Sequence, residues 1–512
     1  MIRAAAICLA GALSACSSLP PNPERQVTMA DLDTAQTRLG RTAAPLLAAQ
    51  PGLSGFLPIN EGSEAFVARV ELARAAERTL DLQYYSFHAD QTGIALLGEL
   101  LAAADRGVRV RLLLDDVNTS GQDAALAAID SHPLLELRLF NPFANRGARW
   151  LDGLTDFARV NRRMHNKAMT ADSQVAIVGG RNIGDEYFAA RTDLGFGDFD
   201  VVALGPVVRE VSATFDDYWN SPQAYPAAAL LARPEEGELH GLRGRVEAHM
   251  QALRGTSYVR GLEESELLRS IADKKVELYW GRSSVIADAP AKVSLPPEDD
   301  STHAIPKLAK VLEAARSELL LISPYFVPGE WGTRWLADAV KRGVKVKILT
   351  NSFAATDVSA VHAGYAAYRK RLLQAGVELY ELKPTADLSR AGKRRLTGSS
   401  SSRSSLHAKT YMADQKTLFV GSLNLDPRSA RLNTEMGVVI DSAALCTMLR
   451  TRLLGRIPEA AWRVELDRGT DRLVWITRDG GREVREESEP SMGAWQSFLQ
   501  GLLRMLPIEE QL

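Results

Sequence analysis

Apolar and polar positions along this chain follow two alternating patterns, one typical of strands and one typical of helices. Leu80 to Tyr85 and Val108 to Leu114 have the alternating or continuous apolar character of strands. Ala65 to Glu77 and Gly93 to Asp105 have apolar residues at helical spacing. Strands that alternate with helices of this length predict an α/β fold with mostly parallel sheets, covered by helices on both faces.

The same order of elements returns in the second half of the chain. Helices are predicted for 304–317 and 331–341, and a strand for 319–322. The strand segment Arg342 to Leu349 closely repeats Arg106 to Leu113. We therefore predict a tandem duplication of one α/β unit, in which two mixed or mostly parallel sheets pack side by side.

A short polar pattern recurs within this duplication. Each copy has a His, then a Lys, then an Asp in the order H-x-K-x4-D, and the two copies are His165, Lys167 and Asp172, then His407, Lys409 and Asp414. Two small residues and an Asn follow each copy, namely Gly179, Gly180 and Asn182, then Gly421, Ser422 and Asn424. A single copy arises by chance in roughly one or two chains in a hundred of this length. Two copies separated by a constant 242 residues are therefore not accidental.

The chemistry of these side chains is suited to phosphate esters. If H-x-K lies on a strand, its two side chains project from one face, and we expect both pairs to face a cleft between the halves. Imidazole can attack phosphorus or donate a proton near neutral pH, while Lys and Asn supply donors for phosphate oxygens. Asp172 and Asp414, although part of the catalytic motif, are expected to hold its local geometry by hydrogen bonds rather than to contact phosphate.

The paired motif with its downstream Gly-Ser-x-Asn resembles the phospholipase D superfamily. The run Gly179 to Phe188 resembles the cardiolipin synthase C-type branch, although Gly180 stands where a Ser is usual. The resemblance implies an active site between two pseudo-symmetric halves, no metal or other cofactor, and a covalent phosphohistidine. It further implies His165 as the nucleophile and His407 as the general acid, with the reverse assignment open, and Asn182, Asn424, Gly180 and Ser422 at the substrate phosphate.

A histidine used in this way needs a carboxylate on its second nitrogen. Glu435 resembles the family's orienting carboxylate beyond the second motif. Alignment of Val201-Val202 with Val438-Val439 gives Asp198 this role for the first half, whereas a fixed spacing of 28 residues from the His selects Asp193. Tyr84, Tyr85 and Tyr325, at the ends of equivalent strands, are either substrate contacts or core residues.

The segments outside the repeat have different compositions. A basic start, a short apolar run and small residues before Cys16 resemble a lipoprotein signal peptide whose Cys becomes acylated, the alternative being an ordinary signal peptide with a chance Cys. The predicted organisation is a signal peptide at 1–16, a tether with one short helix at 17–55, a first half at 56–222 (motif 159–186), a helical insertion at 223–264, a second half at 265–460 (motif 401–428) and a C-terminal extension at 461–512. The Ser-rich stretch 386–406 is expected to be a mobile loop or a solvated linker, and the apolar stripe of 493–506 a helix that packs on the core or contacts a membrane.

Composition narrows the function without deciding it. The 512 residues are 46% hydrophobic and 24% charged with a formal net charge of −2, which gives no support to bulk nucleic-acid binding. An acylated Cys16 would leave Cys446 as the only other mature cysteine, so no intrachain disulfide is expected.

We expect a monomeric phosphatidyltransferase of the cardiolipin synthase type, anchored by lipid in a bacterial envelope, with Ser17 weakly favouring the outer membrane. Phosphatidylglycerol and phosphatidylethanolamine are the expected substrates. A hydrolytic phospholipase D, a nuclease and a non-catalytic lipid-binding scaffold are the alternatives.

Overall fold

The computed structural model describes residues 19–22, 25–191, 194–273, 275–384 and 403–493. Cys16, Asp193, most of the Ser-rich stretch and most of the predicted C-terminal helix lie outside these residues. Within them, no helix combines the length and the apolar character needed to cross a bilayer.

The first half is built from nine strands and eleven helices. The strands are β1 Ser54–Ile59, β2 Thr79–Tyr84, β3 Arg109–Asp115, β4 Leu135–Phe140, β5 Ala168–Ala171, β6 Val175–Gly179, β7 Leu194–Gly197, β8 Asp200–Leu204 and β9 Ala224–Pro226 in the described residues. The helices are α1 Arg38–Ala48, α2 Gly62–Ala75, α3 Gln91–Asp105, α4 Asp123–Asp130, α5 Arg149–Thr155, α6 Phe157–Val160 and α7 Pro206–Trp219. The region predicted as a helical insertion contains α8 Ala227–Leu230, α9 Glu238–Leu253 and α10 Ser257–Glu263, and α11 Glu266–Ala272 follows.

The second half repeats the order of the first. Its strands in the described residues are β10 Tyr279–Ala287, β11 Glu318–Ile322, β12 Lys345–Asn351, β13 Glu378–Leu382, β14 Arg403–Leu406, β15 Lys409–Ala413, β16 Thr417–Gly421, β17 Met436–Asp441, β18 Ala461–Leu466, β19 Leu473–Asp479 and β20 Arg482–Glu486. Its helices are α12 Ile305–Glu313, α13 Gly329–Lys341, α14 Ser359–Gln374, α15 Pro427–Arg431 and α16 Ala443–Ala460.

The repeated Arg-Gly-Val sequence has a structural cause. Gly107 and Gly343 have φ of 96° and 90°, a conformation that favours glycine, directly after helices α3 and α13. The Val108 amide then donates to Ala103 O at 3.1 Å, and the Val344 amide makes the equivalent bond to Ala339. The glycine thus ends each helix and turns the chain into the next strand, which explains why the duplication is clearest there.

The two half-sheets are linked through one strand, β10, whose first residues pair with β1 and whose later residues pair with β17. The half-sheets join edge to edge where β1 pairs antiparallel with β10. The strand order is β9-β4-β3-β2-β5-β6-β8-β1, then β10-β17-β16-β15-β11-β12-β13-β18-β19-β20. The expectation of a mixed α/β sheet flanked by helices is confirmed.

The alternative of mostly parallel strands is wrong. Among the described strands of this sheet, only β2-β3-β4 and β11-β12-β13 run parallel. The motif segments start tight hairpins, β5-β6 and β15-β16, and a hairpin must be antiparallel. The polar chemistry of the motif therefore lies at the point where the sheet changes from parallel to antiparallel pairing.

One apolar core is shared by both halves. Ala168, Val178 and Val201 of the first half belong to the same buried cluster as Leu320 and Val438 of the second. This contact buries the inner face of each half against the other, while two further clusters lie each within one half.

Two predictions about segments outside the repeat need correction. The predicted tether is docked on the first half over much of its length, since Arg111 donates to Thr28 O at 2.9 Å and the Ala30 amide to Asp216 at 2.8 Å. The short helix predicted within it is α1. The end of the Ser-rich stretch, Arg403 to Leu406, is a strand that pairs in parallel with β7 of the first half, because its backbone finds partners there.

Candidate active site

Both motif histidines are positioned by the backbone of the opposite half. The His165 amide donates to Thr434 O at 2.8 Å, and the His407 amide donates to Gly197 O at 2.8 Å. Each H-x-K segment lies just before or at the start of its strand, β5 or β15, and not within it as predicted. These two backbone hydrogen bonds between the halves, rather than strand pairing, therefore fix the orientation of the two imidazoles.

His165 binds a carboxylate of the second half. Its Nδ1 lies 2.9 Å from Glu435 Oε2, and the Glu435 carboxylate also accepts from Ser422 Oγ at 2.5 Å and Ser429 Oγ at 2.8 Å. Burial raises the pKa of Glu435 to about 7, against the opposing charge of Lys167. Burial, followed by the ammonium charge of Lys167, holds the pKa of His165 well below its ordinary value. His165 is therefore neutral near pH 7, with Nε2 left for a substrate.

His407 binds a carboxylate of the first half. Its Nδ1 lies 2.6 Å from Asp198 Oδ2. Burial would raise the pKa of Asp198, but His407 and Lys409 lower it, so this carboxylate is ionised. Burial and Lys409 lower the pKa of His407, while Asp198 opposes that change. The two histidines thus face carboxylates whose pKa values are shifted in opposite directions, despite the pseudo-symmetry of the fold.

The strand register explains why Asp198 occupies the position of the orienting carboxylate. Val178 pairs with Val201 in the first half, and Val420 pairs with Val438 in the second. The register thus matches the alignment of Val201-Val202 with Val438-Val439, which predicts Asp198 as the carboxylate. The loop before β8 is longer than its counterpart before β17, so a fixed spacing from the histidine fails; Asp193 lies outside the described residues.

Gly180 is matched to the position of Asp198. A Cβ added at Gly180 would lie 2.2 Å from Asp198 Oδ1, so no side chain fits there. In the second half the equivalent Ser422 instead donates its hydroxyl to Glu435. The departure from the family pattern at Gly180 is therefore explained by the position that the aspartate carboxylate occupies.

The two motif lysines are buried beside the histidines. Lys167 and Lys409 are each 1% exposed, and each Nζ donates to the carbonyl oxygen of its own motif histidine at 2.5 Å. Burial lowers the pKa of Lys409 to about 8 and lowers that of Lys167 well below its ordinary value. Both lysines are close enough to lower the pKa of both imidazoles, and Glu435 and Asp198 oppose the loss of the lysine charge. A phosphodiester anion bound beside them would favour the charged form of both lysines.

The two asparagines differ in their surroundings. Asn182 Oδ1 accepts from the Ser86 amide at 3.2 Å, and its Nδ2 donates to Tyr187 Oη at 3.0 Å. Asn424 is 4% exposed, and its Oδ1 has no hydrogen-bond partner in the described part of the chain. The predicted contact of both residues with phosphate is not tested by these bonds and stays a prediction.

Asp172 and Asp414 make equivalent contacts with backbone amides, away from the two histidines. Asp172 accepts from the backbone amides of Glu77, Arg78 and Thr79, and Asp414 accepts from those of 316–318. Both have positive φ, 50° and 52°, in the turn between the hairpin strands. The carboxylates therefore fasten the motif hairpin to the start of the neighbouring parallel strand, β2 or β11.

Aromatic side chains lie against both histidines. The ring of Tyr85 meets that of His165 edge-on with centroids 5.1 Å apart, and Tyr187 meets His407 at 5.2 Å. Tyr84 instead points into the core, where its hydroxyl accepts from Arg69 at 3.1 Å. Tyr325 donates to Asp357 at 2.8 Å. Sequence reasoning found Tyr85 but missed Tyr187, whose only signal was its place in the Gly179 to Phe188 run.

One group of side chains near the cleft has metal-ligand chemistry. Ligand atoms of His88, Asp90 and Glu186 lie within 4.8 Å of one another. The Asp90 carboxylate is already used, since it accepts from the Gly93 amide at 3.0 Å to cap α3 and from the Asp185 amide at 2.8 Å. These bonds give Asp90 a structural role, which accounts for its position beside His88 and Glu186.

The arrangement as a whole can support a double displacement at phosphorus. It offers a neutral imidazole, a second imidazole on an ionised carboxylate, and two ammonium groups for the non-bridging oxygens. Each half contributes a histidine and the carboxylate that orients the other half's histidine.

Comparison with known proteins finds similarity to cardiolipin synthases. A family model described as "Cardiolipin synthase, PLD-like domain" matches residues 70–219 and 308–454. Cardiolipin synthase C of Escherichia coli (strain K12) is 44% identical over 474 residues, which are 92% of this chain and 99% of that protein. Cardiolipin synthase A of Pseudomonas syringae pv. syringae is 28% identical over 407 residues, covering 78% of this chain and 68% of that protein.

A solved structure supports the fold. The crystal structure of phosphatidylserine synthase from Haemophilus influenzae Rd KW20 covers 83% of this chain and 92% of its own, with a TM-score of 0.54 and 14% sequence identity. At this identity the likeness concerns the architecture alone.

Proposed function

Since this chain belongs to the phospholipase D-like family of cardiolipin synthases, we propose that it is a phosphatidyltransferase that makes cardiolipin through a phosphohistidine. The observation that carries the proposal is the crossed pairing of His165 with Glu435 and of His407 with Asp198. This pairing holds Nδ1 of each imidazole against a carboxylate of the opposite half, and we assign the reaction at phosphorus to the Nε2 atoms.

The first step forms the covalent intermediate. Nε2 of neutral His165 attacks the phosphorus of phosphatidylglycerol, and the bond between phosphorus and the glycerol headgroup oxygen breaks. His407 gives its Nε2 proton to that oxygen, so glycerol leaves as a neutral alcohol. Lys167 and Lys409 balance the charge of the non-bridging oxygens, with Asn182 and Asn424 as further donors and Gly180 and Ser422 beside the phosphate.

The second step transfers the phosphatidyl group. The free hydroxyl of a second phosphatidylglycerol attacks the phosphohistidine, His407 takes its proton, and the bond between phosphorus and His165 breaks. The sum is two phosphatidylglycerols converted to cardiolipin and glycerol. Phosphatidylethanolamine as the donor would release ethanolamine instead. No step needs a metal, because the lysines supply the positive charge at phosphorus.

The assignment of the two histidines is supported by their unlike partners. A nucleophile must be neutral, and burial together with Lys167 holds the pKa of His165 well below its ordinary value. Nδ1–H donates to the ionised form of Glu435, and the Nε2 lone pair is then the one that can attack. A general acid must hold a proton, and ionised Asp198 favours the charged form of His407. The pseudo-symmetry of the fold leaves both imidazoles near one phosphorus, so the electrostatic difference is what separates their roles.

We further propose that the protein acts at a membrane of the bacterial envelope, as a monomer in which one chain supplies the whole site. The lipoprotein-like start of the sequence supports an acyl anchor on Cys16, and Ser17 after it weakly favours the outer membrane. Asn22 already donates to Pro222 O and Ala224 O, so few residues separate Cys16 from the docked segment and the anchor would have a short reach.

The experiment is a lipid assay with purified full-length protein. Vesicles of phosphatidylglycerol, with and without phosphatidylethanolamine, are incubated with wild type, His165→Ala or His407→Ala, and the products are separated by mass spectrometry. We expect cardiolipin and glycerol with wild type and neither with the variants. Phosphatidic acid as the main product would identify a hydrolytic phospholipase D. Binding of lipid without any product in wild type would instead support a scaffold, and cleavage of a DNA control but not of lipid would support a nuclease.

A further inference from the structure

Three large apolar side chains are exposed on a short helical segment that precedes the first motif. Trp150, Leu154 and Phe157 are 66%, 76% and 55% exposed, and Leu154 is the most exposed large apolar residue in the described part of the chain. Trp150 and Leu154 are four residues apart on α5, and Phe157 begins α6 directly after Asp156, whose φ of −143° separates the two helices. Single exposed apolar residues are ordinary, but neighbouring ones form a surface. We call residues 149–160 the apolar tip.

The base of the apolar tip is fixed to the sheet. Arg149 donates to the carbonyl oxygen of Asp116 at 2.7 Å and to Thr119 Oγ1 at 2.8 Å, and Arg146 pairs with the Asp116 carboxylate. Asp116 is fully buried directly after β3. Buried charged pairs hold a segment in one position. The exposure of the three apolar side chains is therefore part of a held structure.

The neighbouring aspartate holds the first motif. Asp115 accepts from the Met164 amide at 2.7 Å and pairs with Arg163 at 3.3 Å. Consecutive residues at the carboxyl end of β3 thus fix the base of the apolar tip and the residue before His165. The apolar tip and His165 are therefore both held by the residues at the carboxyl end of β3.

The charges of the tip allow contact with an anionic surface. The Asp152 carboxylate is turned inward and accepts from the Asn145 amide at 3.0 Å. The Asp156 carboxylate is paired with Arg159. Both carboxylates of the tip have cationic or N–H partners, so neither presents an uncompensated negative charge.

The second half also exposes an aromatic residue after the carboxyl end of a strand. Trp331 is 59% exposed and stacks on Trp335 with centroids 6.3 Å apart. It lies in the first turn of α13, which follows the carboxyl end of β11. Strand β11 is the counterpart of β2, whose carboxyl end leads to Tyr85 beside His165. Exposed aromatic residues therefore occur after the carboxyl ends of strands in both halves.

We propose that the apolar tip inserts into the surface of a phospholipid bilayer and so places the cleft where a lipid can enter it, an inference that rests on the proposed function. Tryptophan with neighbouring apolar residues on a short helix is suited to the headgroup boundary of a bilayer. A protein partner or second copy covering the tip would stand between the cleft and a substrate that resides in the bilayer. The bilayer is therefore the occupant that the position of the tip favours.

The test compares two substrate forms in full-length protein. The variant carries Trp150→Ser, Leu154→Ser and Phe157→Ser together, and the matched control carries Leu46→Ser and Leu134→Ser, which remove apolar residues exposed by 41% and 38% elsewhere. The readout is the ratio of activity on phosphatidylglycerol vesicles to activity on short-chain phosphatidylglycerol below its micelle concentration. We expect the ratio to fall by about tenfold or more in the tip variant and by less than about twofold in the control. An equal ratio in wild type and the tip variant would overturn the proposal.

A second readout needs no activity and only one mild substitution. Vesicles with brominated acyl chains quench tryptophan fluorescence on contact, and wild type is compared with Trp150→Phe. We expect the part of the emission that Trp150 supplies to be quenched by these vesicles, and therefore the quenched fraction to be smaller in Trp150→Phe. An equal fraction in both proteins would show that Trp150 stays in water and would overturn the proposal, even where the triple variant fails to fold. Concentration-dependent dimers that the tip variant loses would also overturn it, in favour of a second copy. Quenching of Trp150 without phosphatidyl transfer in wild type would defeat the proposed function alone.

Discussion

The carboxylate of Asp198 in the first half lies 2.6 Å from Nδ1 of His407 in the second. Glu435 makes the reciprocal contact with His165, at 2.9 Å. Each histidine therefore has its motif in one half and its orienting group in the other. Neither half holds a complete copy of the site, which explains why the fold keeps both halves within one chain and one shared core.

Replacing Asp198 should change the pH dependence of the reaction. Asp198→Asn removes the charge that raises the pKa of His407, so this already lowered pKa falls further. A general acid is lost as pH rises through its pKa, so the alkaline limb of kcat/KM on phosphatidylglycerol should move to lower pH by about one to two units. Glu435→Gln is the matched control and should lower kcat without moving that limb. The same shift in both variants would contradict the roles given to the histidines.

A side chain at Gly180 should disturb Asp198. The Cβ of Gly180→Ser would lie 2.2 Å from Asp198 Oδ1, so the carboxylate must move away from His407. We expect kcat to fall by about 10²-fold or more, with a smaller change in KM, because the general acid loses its orientation. Gly244→Ser, on a helix where a Cβ meets nothing within 4 Å, is the control. Full activity in Gly180→Ser would show that the Asp198 contact is dispensable.

The two histidines should differ on a substrate with a good leaving group. On a p-nitrophenyl phosphodiester, departure needs little protonation, so His407→Ala should still form the covalent adduct and accumulate it. His165→Ala should form none, and both variants should lose about 10²- to 10⁴-fold of their activity on phospholipid. Intact-mass analysis after acid quench detects the adduct. An adduct in His165→Ala would reverse the assignment, and its absence from every variant and from wild type would contradict double displacement.

Asp172 should matter for stability more than for the chemical step. Asp172→Asn removes part of the acceptor for three amides at a fully buried site, so the free energy of unfolding should fall by about 1–3 kcal/mol. Asp414→Asn should cost less, because Asp414 is only half-buried. Urea denaturation measures the loss, and Asp338→Asn, whose carboxylate is 60% exposed, should change it by less than about 0.5 kcal/mol. A large loss of kcat with unchanged stability would mean that Asp172 contacts the reacting phosphate.

Anchoring can be tested at Cys16, outside the described residues. Cys16→Ala should release the protein from membranes or block its maturation, because the acyl chains would have no attachment point. Membrane fractionation and the intact mass of the mature protein report the result, with Cys446→Ala as the control. Unchanged fractionation and mass would count against the lipoprotein signal and leave the apolar tip as the candidate membrane contact.

The sequence by itself determined the duplication, the order of the elements and the identity of the motif residues. These features are local or periodic: a glycine after a helix, an alternating strand and an H-x-K-x4-D pattern keep their meaning without knowledge of distant contacts. Even Asp198 could be selected, because two valines of the next strand aligned with Val438-Val439 and strand register carries over from one half to the other.

Tertiary structure decided what depends on contacts between distant parts of the chain. The sequence does not state that β1 pairs with β10, so the strand that links the two half-sheets was not predicted. It does not show that the segment before β1 docks on Asp216, that Tyr187 meets His407, or that Asp198 serves the opposite histidine and excludes a side chain at Gly180. Burial and neighbouring charges also set the proton affinities, since the carboxylates that pair with the two motif histidines have pKa values shifted in opposite directions once the halves enclose them. Pairing partners and desolvation are properties of the folded surface around a residue, and a linear pattern of residue types does not contain them.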